Sequence, residues 1–221
     1  IMPKCDIEAV IRILRRETRK FTVPIVSRIA ESSSSQKPFL VLISCLLSLR
    51  TKDQTTASAS QRLFDLAESP QEMLRLSARQ IEKSIYPVGF YRTKARRIKE
   101  ICRLLIDKFS SRVPDSIEDL LTLKGVGRKT ANLVLTDGLG KLWVCVDTHV
   151  HRITNRLGFC RTRFPEETET CLRNRLPTRH WIEYNKLLVS WGQNICKPIS
   201  PLCGVCAIEK YCPKIGVGKH R

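Results

Sequence analysis

Lys129 follows a Gly-x-Gly turn at the start of an apolar periodic segment, where a lysine can act as a nucleophile. Gly125 and Gly127 interrupt the helical periodicity, which resumes at Arg128 and Lys129. The positive end of a helix dipole and the adjacent Arg128 both favour the uncharged amine of Lys129. Because an uncharged amine attacks electrophilic carbon, the sequence predicts lysine chemistry at this turn.

The turn itself is predicted to be the centre of a helix-hairpin-helix. Leu120, Leu121 and Leu123 end an amphipathic segment before the glycines. Glycines permit positive φ and close approach of another surface, and the unpaired N–H groups of the next helix can bind a phosphate. A glycine-broken hairpin made only for packing is the alternative. The candidate contacts with a nucleic-acid backbone are Lys124, Gly125, Val126, Gly127 and Arg128.

Four cysteines near the end of the sequence have the spacing C-x6-C-x2-C-x5-C. Four thiolates in one short loop can hold a tetrahedral zinc ion or a [4Fe–4S] cluster. Zinc sites usually contain two tight cysteine pairs, but only Cys203 and Cys206 are tightly spaced here, so the pattern favours the cluster. The predicted ligands are Cys196, Cys203, Cys206 and Cys212.

The other six cysteines are scattered, and several lie in apolar periodic segments. Without a visible export signal, they are expected to be buried thiols and not a disulfide framework. They are Cys5, Cys45, Cys102, Cys145, Cys160 and Cys171.

The composition indicates a polyanionic partner. The chain has 221 residues and a formal net charge of +18, which favours nucleic acid over an anionic membrane face. The longest apolar run, residues 39–49, is too short to span a bilayer and contains Ser44 and Ser48. The first residues contain no apolar signal segment. We therefore expect a soluble, intracellular monomer, in the cytoplasm or nucleoid if the source is prokaryotic, without a membrane partner.

The elements that must position these residues are predicted to be helices, so the fold class is all-α. An Asp at position 6 caps the first helix, and Asp147 caps another that follows a short extended piece at residues 143–146. A serine run, Ser32–Ser35, followed by Pro38 indicates a loop and a domain boundary. The other predicted helices cover residues 39–49, 54–66, 70–76, 78–85, 93–109, 165–176 and 179–195.

Taken together, these motifs resemble the endonuclease III family of helix-hairpin-helix DNA glycosylases with an iron–sulfur loop. The resemblance covers essentially the whole chain and includes the four-cysteine spacing. The matching segments are LSLRTKD at 47–53, GFYRTKA at 89–95, LKGVGRKTA at 123–131 and VDTH at 146–149.

The resemblance implies two helical domains. Residues 31–141 would form a six-helix barrel containing the hairpin, and residues 142–221 a helical [4Fe–4S] domain against which residues 1–30 pack. The implied partner is double-stranded DNA with a damaged base or abasic site.

The resemblance also implies the chemistry, which is excision of oxidised pyrimidines followed by strand cleavage. Lys129 would attack C1′ of an extruded nucleotide and form a Schiff base, and β-elimination would follow. Asp147 would assist lysine deprotonation and stabilise charge on the sugar, although it could be only a helix cap. His149 and His151 are given no chemical role.

Other residues match DNA-contacting positions of the family. Arg50, where bacterial relatives commonly carry Gln, and Phe90 would fill the space left by the extruded base. Asp53 matches an acidic position near the active site, or is a helix cap. Lys124 replaces the usual proline, and Lys197 is the only cation in the loop between the first two cluster ligands.

Two alternatives remain open. One is a mismatch-specific thymine or adenine glycosylase, although the resemblance implies that monofunctional relatives lack the hairpin lysine and that adenine enzymes carry a further C-terminal domain. The other is a DNA-binding iron–sulfur protein without catalytic activity.

Overall fold

The computed structural model describes residues 6–21 and 36–221. These residues form helices and contain no β-strand, which confirms the all-α prediction. The helices are α1 Ile7–Glu17, α2 Lys37–Ser48, α3 Asp53–Phe64, α4 Pro70–Arg75, α5 Ala78–Ile85, α6 Tyr91–Phe109, α7 Ile117–Thr122, α8 Arg128–Leu133, α9 Thr148–Arg156, α10 Pro165–Arg175 and α11 Trp181–Asn194.

The described residues divide into two compact units. Residues 36–141 belong to one unit, called here the hairpin unit, and residues 6–21 with 142–221 belong to the other, called the cysteine unit.

Helix α2 is the centre of the hairpin unit. Every residue from Phe39 to Leu47 is buried, as expected for a helix that is apolar on nearly all faces. It packs against α3, α6, α8 and the π-helical turn Val134–Gly138. The helix already begins at Lys37, because Pro38 lies in the first turn, where no backbone N–H is required. The prediction that Pro38 marks a loop was therefore wrong, and Ser32–Ser35 lie outside the described residues.

The core of the cysteine unit lies between α1, α9, α10 and α11. The Asp6 side chain caps α1 by accepting a hydrogen bond of 3.0 Å from the Ala9 N–H, as predicted. The largest side chains in this core are Tyr184 and Trp191, both buried. The predicted helix over 179–195 begins instead with a 3-10 turn, Thr178–His180, before α11.

One prediction about the cysteines was wrong. Cys160 and Cys171 form a disulfide, with their Cα atoms 6.3 Å apart, because the segment after α9 lies against α10. Their sequence separation gives no sign of this pairing, which depends on how the segment after α9 packs against α10. Cys45, Cys102 and Cys145 are buried thiols outside this disulfide, as predicted, and Cys5 lies outside the described residues.

None of the described helices combines the length and the apolar character that crossing a bilayer requires.

Candidate active site and cysteine cluster

The predicted hairpin is present in the hairpin unit. Helix α7 ends at Thr122, and its buried Leu120 anchors it to the core. The turn closes with a 3.0 Å hydrogen bond from the Val126 N–H to the Leu123 carbonyl, and Gly125 has φ +85°, which favours glycine. The side chains of Leu123 and Val126 are buried, so they anchor the turn to the core.

Charged side chains surround this turn on its outer side. Lys124, Arg128 and Lys129 are all exposed, and Lys129 lies in the first turn of α8. Gly127 precedes α8, and no side chain of the described residues caps this helix end. The start of a helix favours an anion, because its dipole is positive there.

Asp147 is positioned by the start of α9 in the cysteine unit. One carboxylate oxygen, Oδ1, accepts hydrogen bonds of 2.8 Å from the His149 N–H and 2.9 Å from the Val150 N–H. The side chain is only 5% exposed. The cap predicted from sequence is therefore present, and it fixes the direction of the carboxylate. The catalytic role of Asp147 stays a prediction.

Arg50 and Phe90, which come from separate segments of the hairpin unit, lie together. The Arg50 guanidinium carbon is 5.8 Å from the centre of the Phe90 ring, and the ring is 62% exposed. Arg50 has φ +53° and Phe90 has φ +58°, a conformation that costs an L residue roughly 1–2 kcal/mol. The two segments are in close contact, since a Cβ on Gly89 would lie 2.7 Å from the Arg50 carbonyl oxygen.

The N-cap alternative for Asp53 was wrong. Lys52 is the N-cap of α3, and Asp53 is the first residue inside the helix. An acidic side chain in a first turn still interacts favourably with the helix dipole.

The four predicted ligand cysteines line one cavity in the cysteine unit. Ile153, Leu157 and Trp191 supply much of its apolar lining, and the cysteines are Cys196, Cys203, Cys206 and Cys212. Burial raises the pKa of Cys206 to about 11 and also raises that of Cys212. Within the two described ranges, no three His, Cys, Asp or Glu side chains are arranged to hold a metal ion.

The donor set and its surroundings nevertheless fit a thiolate-bound cluster. The Arg156 Nη1 atom donates to the Cys196 sulfur at 3.2 Å, and Arg156 also donates to the Lys197 carbonyl at 2.7 Å. The buried indole Nε1 of Trp191 makes no hydrogen bond of normal geometry within the described residues, but it lies near the Cys206 thiol and acts to lower its pKa. Such donors stabilise the negative charge of ligated sulfur.

Two arginines that were not predicted from the sequence hold this loop in place. Arg152 donates to the Cys196 carbonyl at 2.7 Å, and Arg156 contacts the same cysteine. Arg152 and Arg156 are four residues apart, which places both on one face of α9. This spacing could have been recognised in the sequence. Lys197 itself is exposed.

The comparisons with known proteins agree with these features. The model of the HhH-GPD superfamily of base excision DNA repair proteins matches residues 43–178. An endonuclease III from Thermotoga maritima is 48% identical over 188 residues, which cover 85% of this chain and 88% of that protein. The chain belongs to the endonuclease III family. The resemblance predicted from the motifs is thereby confirmed.

Solved structures support the fold of this endonuclease III family member. A trapped endonuclease III–DNA covalent intermediate, described as an estranged-adenine complex, has a TM-score of 0.82 and 31% identity, covering 97% of each chain. A non-covalent endonuclease III–DNA complex matches with the same values.

Proposed function

We propose that this chain excises oxidised pyrimidines from duplex DNA and then cleaves the strand, with the Lys129 amine as the nucleophile. Family membership makes the chain a DNA glycosylase with AP lyase activity in base excision repair. The assignment of Lys129 as the nucleophile depends on its position. It is exposed in the first turn of α8, directly after the glycine turn.

The proposed reaction begins with attack of the Lys129 Nζ lone pair on C1′ of a nucleotide extruded from the duplex. The C1′–N bond breaks, the base leaves with its electron pair and takes up a proton, and ring opening gives a Schiff base between C1′ and Nζ. Loss of a C2′ proton then expels the 3′ phosphate. We assign to Asp147 the stabilisation of positive charge that develops on the sugar.

The hairpin supports the DNA-binding part of the proposal. Its exposed cations and glycine backbone suit a phosphate, and Arg50 with Phe90 presents a cation and an apolar ring that can enter the base stack. Lys197 would contribute a further phosphate contact. The proposed backbone contacts of the hairpin are Lys124, Gly125, Val126, Gly127 and Arg128.

We further propose that a [4Fe–4S] cluster is bound by Cys196, Cys203, Cys206 and Cys212. When bound, it would cross-link the loop after α11, and its role would be structural because the lysine chemistry requires no metal. The convergence of the four thiols on one cavity supports this assignment. We also retain as proposals a monomeric state and domains comprising residues 31–141 and residues 1–30 with 142–221.

Borohydride trapping tests the nucleophile. With a duplex containing one thymine glycol, the wild-type protein should form a covalent adduct, because borohydride reduces the Schiff base to a stable amine. Lys129→Ala should form none. The matched control is Lys124→Ala, which removes an exposed lysine from the same turn and should only weaken DNA binding. An undiminished adduct in Lys129→Ala would refute the assignment.

A parallel panel of duplexes distinguishes the alternatives. Activity on oxidised pyrimidines without activity on G:T or A:G mismatches is expected. Excision confined to mismatches would indicate a mismatch glycosylase, and DNA binding without any excision would indicate a non-catalytic protein.

A further inference from the structure

Lys94 on helix α6 is half-buried and reaches back to the end of helix α2. Its Nζ atom donates hydrogen bonds to the Leu47 carbonyl at 2.8 Å and the Leu49 carbonyl at 2.6 Å. The third acceptor is the Thr51 hydroxyl at 3.3 Å. A lysine ammonium has three donors, and all three acceptors belong to one short segment.

The Thr51 hydroxyl extends this connection to the segment before α6. It accepts a 3.2 Å hydrogen bond from the Gly89 N–H and donates to the Leu49 carbonyl at 3.3 Å. The Lys94 ammonium therefore joins the end of α2 and the loop after it to helix α6, and the Thr51 hydroxyl joins that loop to the loop before α6. We call Lys94 and Thr51 the brace.

The two loops joined by the brace carry Arg50 and Phe90. Each of these residues is flanked by a brace contact: Arg50 lies between Leu49 and Thr51, and Phe90 follows Gly89. Both have positive φ, a conformation that persists only where the surroundings hold it in place. Both side chains are exposed, so their direction depends mainly on the conformation of the backbone segments that carry them.

We propose that Lys94 is a positioning residue, which together with Thr51 locks Arg50 and Phe90 into one preformed wedge for insertion into the DNA stack. The proposal rests on the proposed function, since base extrusion is what requires a wedge. A preformed wedge lowers the conformational cost of binding, because the two loops are already ordered. Burial lowers the pKa of Lys94 to about 8, because the ammonium group is partly removed from water.

A purely structural role is the alternative, and the chain contains a matched control for it. Lys99, on the same helix, donates to the carbonyls of Leu74 and Leu76 at the end of α4. It thus makes the same kind of contact as Lys94, but with a segment that carries neither Arg50 nor Phe90.

The experiment compares Lys94→Met with Lys99→Met on two substrates. One is single-stranded DNA with an abasic site, which contains no stack to enter, and the other is a duplex with one thymine glycol. For Lys94→Met we expect single-turnover excision from the duplex to fall by about tenfold or more, with strand cleavage of the single strand within about twofold of wild type. Lys99→Met should stay within about twofold on both substrates.

A binding measurement provides a readout without catalysis. A duplex with 2-aminopurine opposite a tetrahydrofuran abasic analogue should brighten when the wild-type wedge unstacks the fluorescent base. Lys94→Met should show a smaller increase at saturation, and Lys94→Arg, which keeps the donors, should recover part of it. If the wild-type protein lacked lyase activity altogether, the proposed function would fail, and this fluorescence comparison would still decide the role of the brace.

Three outcomes would overturn the proposal: equal losses on both substrates in Lys94→Met, a duplex-selective loss in Lys99→Met, or unchanged duplex excision and fluorescence in Lys94→Met. Should Lys94→Met fail to fold, Thr51→Val decides the matter. It preserves side-chain volume but removes the shared hydroxyl, so a smaller loss confined to the duplex is expected. Unchanged duplex activity in that variant would equally refute the brace.

Discussion

At the residue scale, Asp147 has a structural role as a helix cap and a proposed chemical role in catalysis. Its Oδ1 atom caps α9 through two backbone N–H groups, and its carboxylate is buried. A cap requires only a hydrogen-bond acceptor, whereas stabilising a cationic transition state requires negative charge. The two roles can therefore be separated by substitution.

We predict that Asp147→Asn keeps most of the stability but loses activity, because asparagine caps helices well and carries no charge. Excision should fall by roughly a hundredfold or more, measured under single-turnover conditions. Asp147→Ala should lose activity to a similar extent and also about 1 kcal/mol in the free energy of unfolding. Full activity in Asp147→Asn would show that the residue is only a cap.

At the element scale, α1 is held to α11 by a cluster of charged side chains. His180, only 2% exposed, contacts Glu8 at 3.0 Å through Nε2 and Glu183 at 2.7 Å through Nδ1. The Nε atom of Arg15 donates to Glu183 at 2.7 Å. The His180–Glu8 and Arg15–Glu183 contacts join residues more than 160 positions apart, so they hold the start of the described chain against its last long helix.

These contacts predict a loss of stability in acid. Hydrogen bonding to His180 lowers the pKa of Glu8 below its usual 4.5. Burial acts to raise the pKa of Glu183, but hydrogen bonds from Arg15 and His180 outweigh it, and the pKa is also lowered. A depressed folded-state pKa stabilises the fold above the unfolded value of 4.5, and that stability is lost as the pH falls through the folded value.

Denaturant unfolding of Glu183→Gln checks this prediction. The variant should be less stable than wild type at pH about 7. The difference should shrink as the pH falls below the unfolded value of 4.5 and through the lower folded-state pKa of Glu183. The control is Glu17→Gln, whose partners Arg16 and Lys20 are close in sequence and exposed, so its effect should be small. A difference that does not change with pH would contradict the prediction.

At the scale of the whole molecule, the chain is strongly basic, with 221 residues, a net charge of +18 and ten cysteines. The cysteines that the structure describes fall into three groups. Some are buried thiols, two form a disulfide, and four line the cavity bordered by Trp191. Within the described residues, the last group places four cysteines around one cavity, which is why we assign the cofactor to it.

Removing one of these four cysteines should remove the cofactor and destabilise the protein. Cys203→Ser should lose the absorbance at about 400 nm that accompanies an iron–sulfur cluster. Its Tm should fall by about 5–10 °C, because a bound cofactor stabilises the folded state. Cys145→Ala, which changes a buried thiol outside the cavity, should keep the absorbance. Retention of full absorbance by Cys203→Ser would contradict the cofactor assignment.

The sequence by itself determined the helices, the hairpin and the family. These features depend on interactions within a few residues: apolar periodicity in α2, the glycine turn before Lys129, and the Asp147 cap. Such interactions are visible in the order of residues, because a helix brings together residues three and four apart. The cysteine spacing is likewise local, although the bound cofactor remains a proposal.

Only the tertiary structure decided which distant side chains meet. The Cys160–Cys171 disulfide, the Arg156 contact with Cys196 and the brace could not be inferred from spacing, because each joins separate segments of the chain. Lys94, for example, contacts a carbonyl 47 residues earlier in the chain. The physical reason is that such contacts depend on how helices pack, which is set by the whole core and not by any one segment.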